Sequence, residues 1–301
     1  MIEIIKRMCE NHKFDSGIGI NKKIRKSTDY RRADIELVSK NDIVKTKQLG
    51  NPILNSVSKI YMKSGQVYVK KNYQTIINFL KWFGLKIFTF ESNLYVVWAS
   101  HRIQNEINSK IFCKKYNIKT PELIDQKGYN LIVELIKGIS LDAVHTIKGR
   151  KNFTKAYEKM GMILAKIHNL NACVGDCKPE NIFETKEKNL FILDFDQFRY
   201  FKDFSENMLT GQLWDFHEFL FYLGHFFPNS KHPFLPKLIH AFHLGYFKKR
   251  KRNKTFGKFL LKIGSPKYIW SYIFFLNPFT LKFIYDLVIS EKKQIIKSLA
   301  I

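Results

Sequence analysis

The chain has 301 residues, of which 45% are hydrophobic and 15% aromatic, a composition that excludes an intrinsically disordered protein. Its formal net charge of +25 favours anionic partners such as nucleic acid, acidic lipid headgroups or phosphorylated ligands, without choosing among them. No run of about 18 apolar residues exists, which excludes an ordinary membrane-spanning helix. The N-terminus, MIEIIKRMCENHK, lacks the continuous apolar segment of a signal peptide.

The cysteines and histidines do not form a recognisable metal-binding pattern. The four cysteines are Cys9, Cys113, Cys173 and Cys177. None belongs to a CxxC pair, so we expect reduced thiols that pack in the interior of a cytoplasmic protein. The spacing of His217, His225 and His232 does not place them on one helix face, and no metal site is predicted there.

The predicted elements follow a polar and basic N-terminal segment, residues 1–45. Residues 53–71 predict two strands around a turn at Lys63-Ser64-Gly65, because the flanks are rich in Val, Ile and Tyr. Residues 74–90 and 100–116 have the apolar composition or spacing of helices. Residues 120–138 then predict a second hairpin.

Helices dominate the second half of the chain. A helix is predicted at about 152–169, a strand that leads into an acidic loop at 189–198, and helices from Leu213 onward. Strands first and helices later predict an α+β protein with two lobes. We assign residues 46–136 to the N-lobe and residues 137–301 to the C-lobe.

Acidic and amide side chains cluster in CVGDCKPENIF, residues 173–183, and just after the strand at 190–193. Phosphoryl transfer from ATP needs a carboxylate that orients or deprotonates the acceptor hydroxyl, oxygen ligands for Mg²⁺, and cations that hold the phosphates. Asp176 can serve as the base, and Lys178 as the cation near the transferred phosphate. Asn181 and Asp194 can bind Mg²⁺ or Mn²⁺, which prefer hard oxygen ligands. The alternative interpretation is a set of polar turns beside a strand.

The segments GDCKPENIF and ILDFD resemble the catalytic loop and the metal-binding loop of protein kinases, HRDxKPEN and DFG. Asp176 matches the catalytic Asp, Lys178 and Asn181 belong to a complete KPEN, and Asp194 matches the DFG Asp. The separation of 18 positions between the two Asp residues is usual for such kinases. The resemblance covers roughly residues 53–226 and implies a kinase-like fold, with a small antiparallel-sheet N-lobe and a mainly helical C-lobe.

The kinase pattern also has departures. Val174 and Gly175 stand at the HRD His and Arg, Asp196 stands at the DFG Gly, and no APE motif follows. This GD-type loop is similar to the small atypical kinases: the RIO kinases, the tRNA-modification-complex kinase, the lipopolysaccharide or Kdo kinases and, best of all, a predicted archaeal-type Ser/Thr kinase group. His168 falls where many kinases have a helix-end His, and Asp215 where such kinases have a buried Asp that braces the catalytic loop.

The resemblance in the N-lobe rests on one strand and one helix. VYVKK, residues 67–71, resembles the VAIK strand, and we predict that Lys70 holds the phosphates, because it ends an alternating strand. Lys71, which would face the other side of the strand, remains the alternative. Glu106 is predicted to pair with this lysine from the helix at 100–116.

The rest of the nucleotide site is less complete. Residues 131–138, LIVELIKG, resemble the hinge, where backbone groups from Glu134 to Ile136 would meet adenine. A glycine-rich lid over the phosphates is missing, because Gly65 is a hairpin turn and Gly17 and Gly19 lie far upstream.

The resemblance implies an ATP-dependent kinase that uses Mg²⁺ or Mn²⁺ and phosphorylates a protein Ser or Thr. One alternative acceptor is a sugar or lipid-linked glycan, as in the lipopolysaccharide kinases. Another alternative, motivated by the missing lid and the altered motifs, is a pseudokinase or ATP-binding scaffold that binds a polyanion.

Two basic segments suggest further partners. FLKWFGLKIF, residues 79–88, either packs over the N-lobe or lies on an anionic membrane. KKRKRNK, residues 248–254, is either a solvated face or a contact for RNA. These contacts would add a peripheral membrane location to the cytoplasmic one.

Overall fold

The computed structural model describes residues 39–49, 57–73, 76–88, 94–143, 153–226, 234–274 and 276–298. Most of the predicted N-terminal segment, including Cys9, Gly17 and Gly19, lies outside the described residues, as does His232.

Five antiparallel strands form the N-terminal sheet, in the spatial order β1-β2-β3-β5-β4. The strands are β1 (Ile43–Leu49), β2 (Val57–Met62), β3 (Val67–Asn72), β4 (Leu123–Lys127) and β5 (Asn130–Glu134). β2 and β3 are the first predicted hairpin, and β4 and β5 are the second. The sequence did not predict β1, which begins before residue 45, because its interior residues are exposed and carry no apolar alternation.

Two helices connect β3 to β4, and the second of them packs on one face of the sheet. They are α1 (Ile76–Phe88) and α2 (Ala99–Lys115), both at the predicted places. Ile103 of α2 packs in a small buried cluster with Tyr73, Leu131 and Val133 of the sheet. This packing determines which face of β3 looks towards α2.

The second part of the chain is mainly helical, which confirms the predicted α+β class. Its helices are α3 (Thr154–Asn169), α4 (Glu206–Phe226), α5 (Leu235–Lys249), α6 (Lys254–Lys262), α7 (Pro266–Ile269) and α8 (Pro278–Ser298). Short strands accompany them: β6 (Ile139–Ser140), β7 (Ala172–Cys173), β8 (Ile182–Glu184), β9 (Leu190–Ile192) and β10 (Arg199–Tyr200). Within the described ranges, no helix has both the length and the apolar character needed to traverse a bilayer.

The main core lies between α3, α4 and α5, and it supports the loop at 173–183. Phe216 and Phe219 of α4 are fully buried in it. Helices α3 and α5 pack at close range where Gly161 faces α5. A Cβ at Gly161 would lie 2.2 Å from the carbonyl oxygen of Phe242, so only glycine fits there. Helix α4 is anchored in this core and contacts the loop at 173–183 through Asp215.

Candidate active site

Lys71, at the end of β3, lies at the centre of a buried polar cluster. Its Nζ is 3.1 Å from Glu106 Oε1, 2.8 Å from the carbonyl oxygen of Leu193 and 3.4 Å from Asp194 Oδ1. Burial lowers the pKa of Lys71, but the carboxylates of Asp194 and Glu106 outweigh it, so the pKa is raised above its ordinary value. Lys71 is therefore a cation that two carboxylates hold between the sheet and the loop after β9.

The expectation that Lys70 pairs with Glu106 is wrong, and the reason is strand parity. Val69 and Tyr73 belong to or pack against the cluster that faces Ile103 of α2. Since side chains alternate along a strand, Lys71 shares their face and Lys70 points to the opposite one. The predicted acid, Glu106, does pair with a β3 lysine, but with the alternative lysine, Lys71.

Glu106 connects three elements through its two carboxylate oxygens. It is fully buried on α2. Its Oε1 accepts from Lys71 and lies 3.0 Å from Lys110 Nζ, while its Oε2 accepts a 2.7 Å hydrogen bond from the backbone N–H of Phe195. These contacts satisfy a buried charge that would otherwise be costly, and they fix α2 against the loop that follows β9.

The loop at 173–183 brings together the three predicted residues Asp176, Lys178 and Asn181. Lys178 Nζ lies 2.6 Å from Asp176 Oδ1, and Asn181 Nδ2 donates to Asp176 Oδ2 at 3.2 Å. Asp176 and Lys178 are only 5% and 6% exposed. Burial lowers the pKa of Lys178, but Asp176 and its other neighbours raise it well above the ordinary value, so Lys178 stays charged. The backbone N–H of Leu193 donates to the carbonyl of Asn181 at 2.8 Å, which joins this loop to the strand that leads to Asp194.

Asp215 of α4 braces the start of the same loop. It accepts hydrogen bonds of 2.6 Å from the backbone N–H groups of both Val174 and Gly175. His168 Nε2 lies 3.2 Å from Asp215, and burial lowers the pKa of His168 to about 4 despite that carboxylate. Gly175 has φ +88°, and a Cβ there would lie 2.4 Å from the carbonyl oxygen of Gln197. A glycine is therefore required at the position where the HRD motif of protein kinases carries Arg.

Asp194 follows β9 and lines a small cavity with Lys71, Arg102 and Asp196. Its side chain is 31% exposed, and its Oδ1 accepts from Lys71. Burial raises its pKa, but Lys71 and Arg102 outweigh burial and lower the pKa to about 2. Asp194 is thus an ionised carboxylate that is both accessible and fixed, as a metal ligand must be.

Asp196, at the position of the DFG Gly, is bound to α2 by an ion pair. Arg102 Nε donates to Asp196 Oδ2 at 2.8 Å, and Arg102 Nη2 contacts the same oxygen. The guanidinium lies over the rings of Tyr73 and Trp82. The exchange of Gly for Asp therefore adds a contact between the loop and α2.

Gln197 makes a second connection between this loop and the N-terminal part. Its side chain accepts from the N–H of Val96 at 2.6 Å and donates to the carbonyl of Val96 at 3.0 Å. Gln197 itself is fully buried. Together with the Arg102 ion pair, these bonds hold the loop against the segment that leads into α2.

Breaking the Arg102–Asp196 pair should destabilise the fold. Both side chains are buried, so Arg102→Met leaves an unpaired carboxylate and is expected to lower the free energy of unfolding by about 3–5 kcal/mol. Burial raises the pKa of Asp196 while Arg102 opposes it, so protonation of the orphaned acid will absorb part of this cost. Urea denaturation at pH 7.5 measures the change.

The double variant Arg102→Met/Asp196→Asn is the control for that measurement. It removes the buried charge as well, and we expect it to recover at least half of the lost stability. A double variant no more stable than Arg102→Met would show that the ion pair is not the cause.

The predicted hinge residues lie at the end of β5 and just beyond it. The backbone N–H of Glu134 donates to the carbonyl of Glu122 at 2.9 Å, so the β4–β5 hairpin uses it. Ile136 is 9% exposed. The connection between β1 and β2, where a lid over phosphates would lie, is outside the described residues.

The cysteines and histidines outside this site, for which the sequence predicts no metal site, have the following surroundings. Cys173 and Cys177 are buried free thiols. His217 is buried and accepts from the N–H of Gly264 at 3.2 Å, while His225 is exposed. In the part of the chain that the structure describes, no three His, Cys, Asp or Glu side chains group as a metal site.

Sequence reasoning missed Arg102, Gln197 and Glu218 as parts of this site. No pattern in the sequence marks Arg102 or Gln197 as part of the site. Their contacts depend on how α2 and the segment before it pack against the loop after β9, which the sequence alone does not specify. Glu218 did have a signal, because it follows Asp215 by one helical turn and so lies on the same face of α4.

The element order and this cluster define a two-lobe, kinase-like α+β fold. Among solved structures, the chain is similar to the Rio2 kinase–ADP/Mg²⁺–phosphoaspartate complex from Chaetomium thermophilum, at 11% identity and a TM-score of 0.41. The similarity covers 84% of this chain and 73% of that chain. At this TM-score the similarity supports no inference about the site, whose description depends on the geometry given above. No family model and no curated protein matches the sequence.

Proposed function

We propose that the protein is an ATP-dependent phosphotransferase that moves the γ-phosphate to a hydroxyl group. The observation that carries the proposal is the buried Lys71–Glu106–Asp194 cluster next to the loop of Asp176, Lys178 and Asn181. Phosphoryl transfer needs fixed cations, oxygen ligands for a divalent metal and one carboxylate near the acceptor, and these two groups supply all three.

Each side chain has a role that its surroundings support. Lys71 binds the phosphates, and Glu106 holds Lys71 in place through the 3.1 Å contact. Asp194 and Asn181 are the ligands for Mg²⁺ or Mn²⁺, since an ionised carboxylate and an amide oxygen are hard donors. When bound, the metal neutralises charge on the phosphates. Backbone groups between Glu134 and Ile136 meet the adenine.

Asp176 orients the acceptor hydroxyl and takes its proton, and Lys178 steadies the transferred phosphate. The 2.6 Å contact between them holds the Asp176 carboxylate in a fixed direction. A positioned general base of this kind typically contributes about 10²–10⁴-fold to the rate.

Phosphate transfer from γ-labelled ATP, with Mg²⁺ or Mn²⁺, tests the proposal. The wild-type protein should label itself or an added cell fraction, and Asp176→Ala should lower the labelling rate by about 10²-fold or more. Asp203→Ala, a change at an exposed aspartate, is the matched control and should keep the wild-type rate. Nucleotide binding without any transfer by the wild type would favour the pseudokinase or scaffold instead.

The first acceptor we propose is a protein Ser or Thr, on the strength of the KPEN residues. A lipid-linked glycan at an anionic membrane is the second candidate, and the outer face of α1 favours it. Ile76, Leu80 and Ile87 are 78%, 59% and 50% exposed and share one stripe of the helix. Apolar side chains exposed beside lysines on a highly basic protein are typical of a helix that lies in a membrane interface.

Helix α1 also lies next to the proposed active site. The ring of its Trp82 is 5.1 Å from that of Tyr95, which in turn is 5.6 Å from Trp214 of α4. Burial raises the pKa of Glu180 in the catalytic loop, and Lys178 and, more weakly, Lys81 of α1 oppose it. These contacts place α1 close to the loop that carries Asp176.

Co-sedimentation with vesicles separates the two acceptors. If the glycan reading is right, the protein should bind vesicles that contain anionic phosphatidylglycerol, and Leu80→Glu should reduce binding by about tenfold. Leu261→Glu changes a leucine that is 78% exposed on α6 and should have no effect. If Leu80→Glu binds vesicles as well as Leu261→Glu does, and the label enters protein only, the glycan acceptor is excluded and the protein acceptor is supported.

The basic run at 248–254 gives weaker support for a contact with RNA. Arg250, in the middle of the run, is 6% exposed, and its Nη2 donates to Gln212 Oε1 at 2.6 Å. This arginine is therefore part of the interior, which leaves fewer free cations in the run than the sequence suggests.

A further inference from the structure

Three residues on one face of α4 contact successive residues of the loop that carries Asp176. Asp215, Glu218 and Tyr222 are separated by three and four positions, so they share that face. Asp215 accepts from the loop before Asp176. Glu218 Oε2 accepts a 2.7 Å hydrogen bond from the backbone N–H of Cys177, the residue after Asp176. The ring of Tyr222 lies 4.9 Å from Lys178 Nζ.

Glu218 differs from Asp215 because it also reaches the side chain of Asp176. It is 2% exposed, and its carboxyl group lies within hydrogen-bonding reach of the carboxyl of Asp176. Burial, and then Asp176, raise the pKa of Glu218 well above its ordinary range, so Glu218 is the partner that can donate.

We propose that Glu218 is a positioning residue, which holds the carboxylate of Asp176 in the direction needed for the acceptor. One oxygen of Glu218 is anchored on the N–H of Cys177, and its O–H donates to Asp176. Lys178 Nζ and Asn181 Nδ2 contact Asp176 from the loop itself. Glu218 adds a contact from α4, a helix that is packed in the main core. This inference rests on the proposed function, in which Asp176 is the base.

Glu218 makes a contact that Asp215 does not, because it reaches the side chain of Asp176 as well as a backbone N–H. Its neighbours in sequence on α4, His217 and Phe219, are packed in the core, where burial of a polar group without a partner is costly. The N–H groups of Val174 and Gly175 already have Asp215 as their acceptor, and Glu218 serves the next N–H, that of Cys177. Fixing a reacting group within a fraction of an ångström is worth far more to the rate than to stability.

Two variants of the full chain test the proposal. In Glu218→Gln, the amide can still accept from Cys177 and donate to Asp176, so kcat should stay within about threefold of wild type. In Glu218→Leu, the side chain keeps its size but can do neither. Its kcat should fall by about 10- to 100-fold, while the KM for ATP changes less than twofold, because Lys71 and Asp194 are untouched.

Alkylation of Cys177 in the folded protein, followed by mass spectrometry, gives a readout that needs no activity. Cys177 is fully buried in the wild type. If Glu218 fixes the loop, iodoacetamide should modify Cys177 at least about tenfold faster in Glu218→Leu, and at the wild-type rate in Glu218→Gln. Cys113, which is buried on α2, should stay equally protected in all three proteins.

The outcomes separate the two proposals. Wild-type kcat and a protected Cys177 in Glu218→Leu would overturn the role of Glu218. A kcat in Glu218→Gln as low as that in Glu218→Leu would also overturn the proposed role. Glutamine keeps the hydrogen bonds, so the loss of kcat would then have another cause. If the wild type transfers no phosphate, the proposed function fails, and the alkylation rates alone decide whether Glu218 holds the loop.

Discussion

Replacement of Lys71 by methionine is expected to lower phosphate transfer by about two to three orders of magnitude, because the phosphates lose their fixed cation. Methionine keeps most of the length of lysine, so the packing between β3 and α2 should be preserved. Glu106 retains Lys110 as a partner at 3.0 Å, which limits the loss of stability. Initial rates with γ-labelled ATP, together with the thermal midpoint of each protein, measure both effects.

Lys70→Met is the matched control, one position away on the same strand. Lys70 points to the opposite face, and we expect its variant to keep at least half of the wild-type rate. A loss of transfer in Lys70→Met with retention in Lys71→Met would reverse the assignment and would contradict the observed contacts of Lys71.

Asp194→Ala is expected to abolish transfer, with a loss of at least about 10³-fold, because the proposed metal site loses its only ionised ligand. The protein should stay folded, since Asp194 is partly exposed and Lys71 keeps its contacts with Glu106 and Leu193. Circular dichroism and thermal unfolding test the fold, and isothermal titration with ADP tests whether Mg²⁺ still strengthens nucleotide binding.

Asp203→Ala serves again as the control, because Asp203 is an exposed aspartate that follows the same loop. We expect its Mg²⁺ dependence to match the wild type. Full activity of Asp194→Ala would end the metal assignment. Loss of activity together with unfolding would require the isosteric Asp194→Asn in its place.

The sequence predicted what is local and missed what depends on packing. Asp176, Lys178 and Asn181 lie within six positions of one another, so a short loop brings them together. The fold class also follows from the order of strands and helices, and the structure confirms it. The roles assigned to these residues remain predictions.

The choice between Lys70 and Lys71 shows where sequence reasoning stops. Both lysines end the same strand, and only the side of the sheet that α2 covers distinguishes them. Val69 two positions earlier was the available signal, because a residue that faces the core shares its face with the residue two positions later. The strand β1 was missed for a different reason, since an exposed edge strand needs no apolar alternation.

The fixed loop at Phe195 has a consequence for inhibitors. A compound that occupies the buried pocket of Phe195 must first displace that ring, which is fully buried. Displacement would break the bond from Phe195 N–H to Glu106, both bonds of Gln197 to Val96 and the pair of Arg102 with Asp196. At about 1 kcal/mol for each neutral bond and more for the buried pair, the opened form would be populated less than about one part in a thousand. Selective compounds for this protein should therefore be sought among those that accept the loop as it stands.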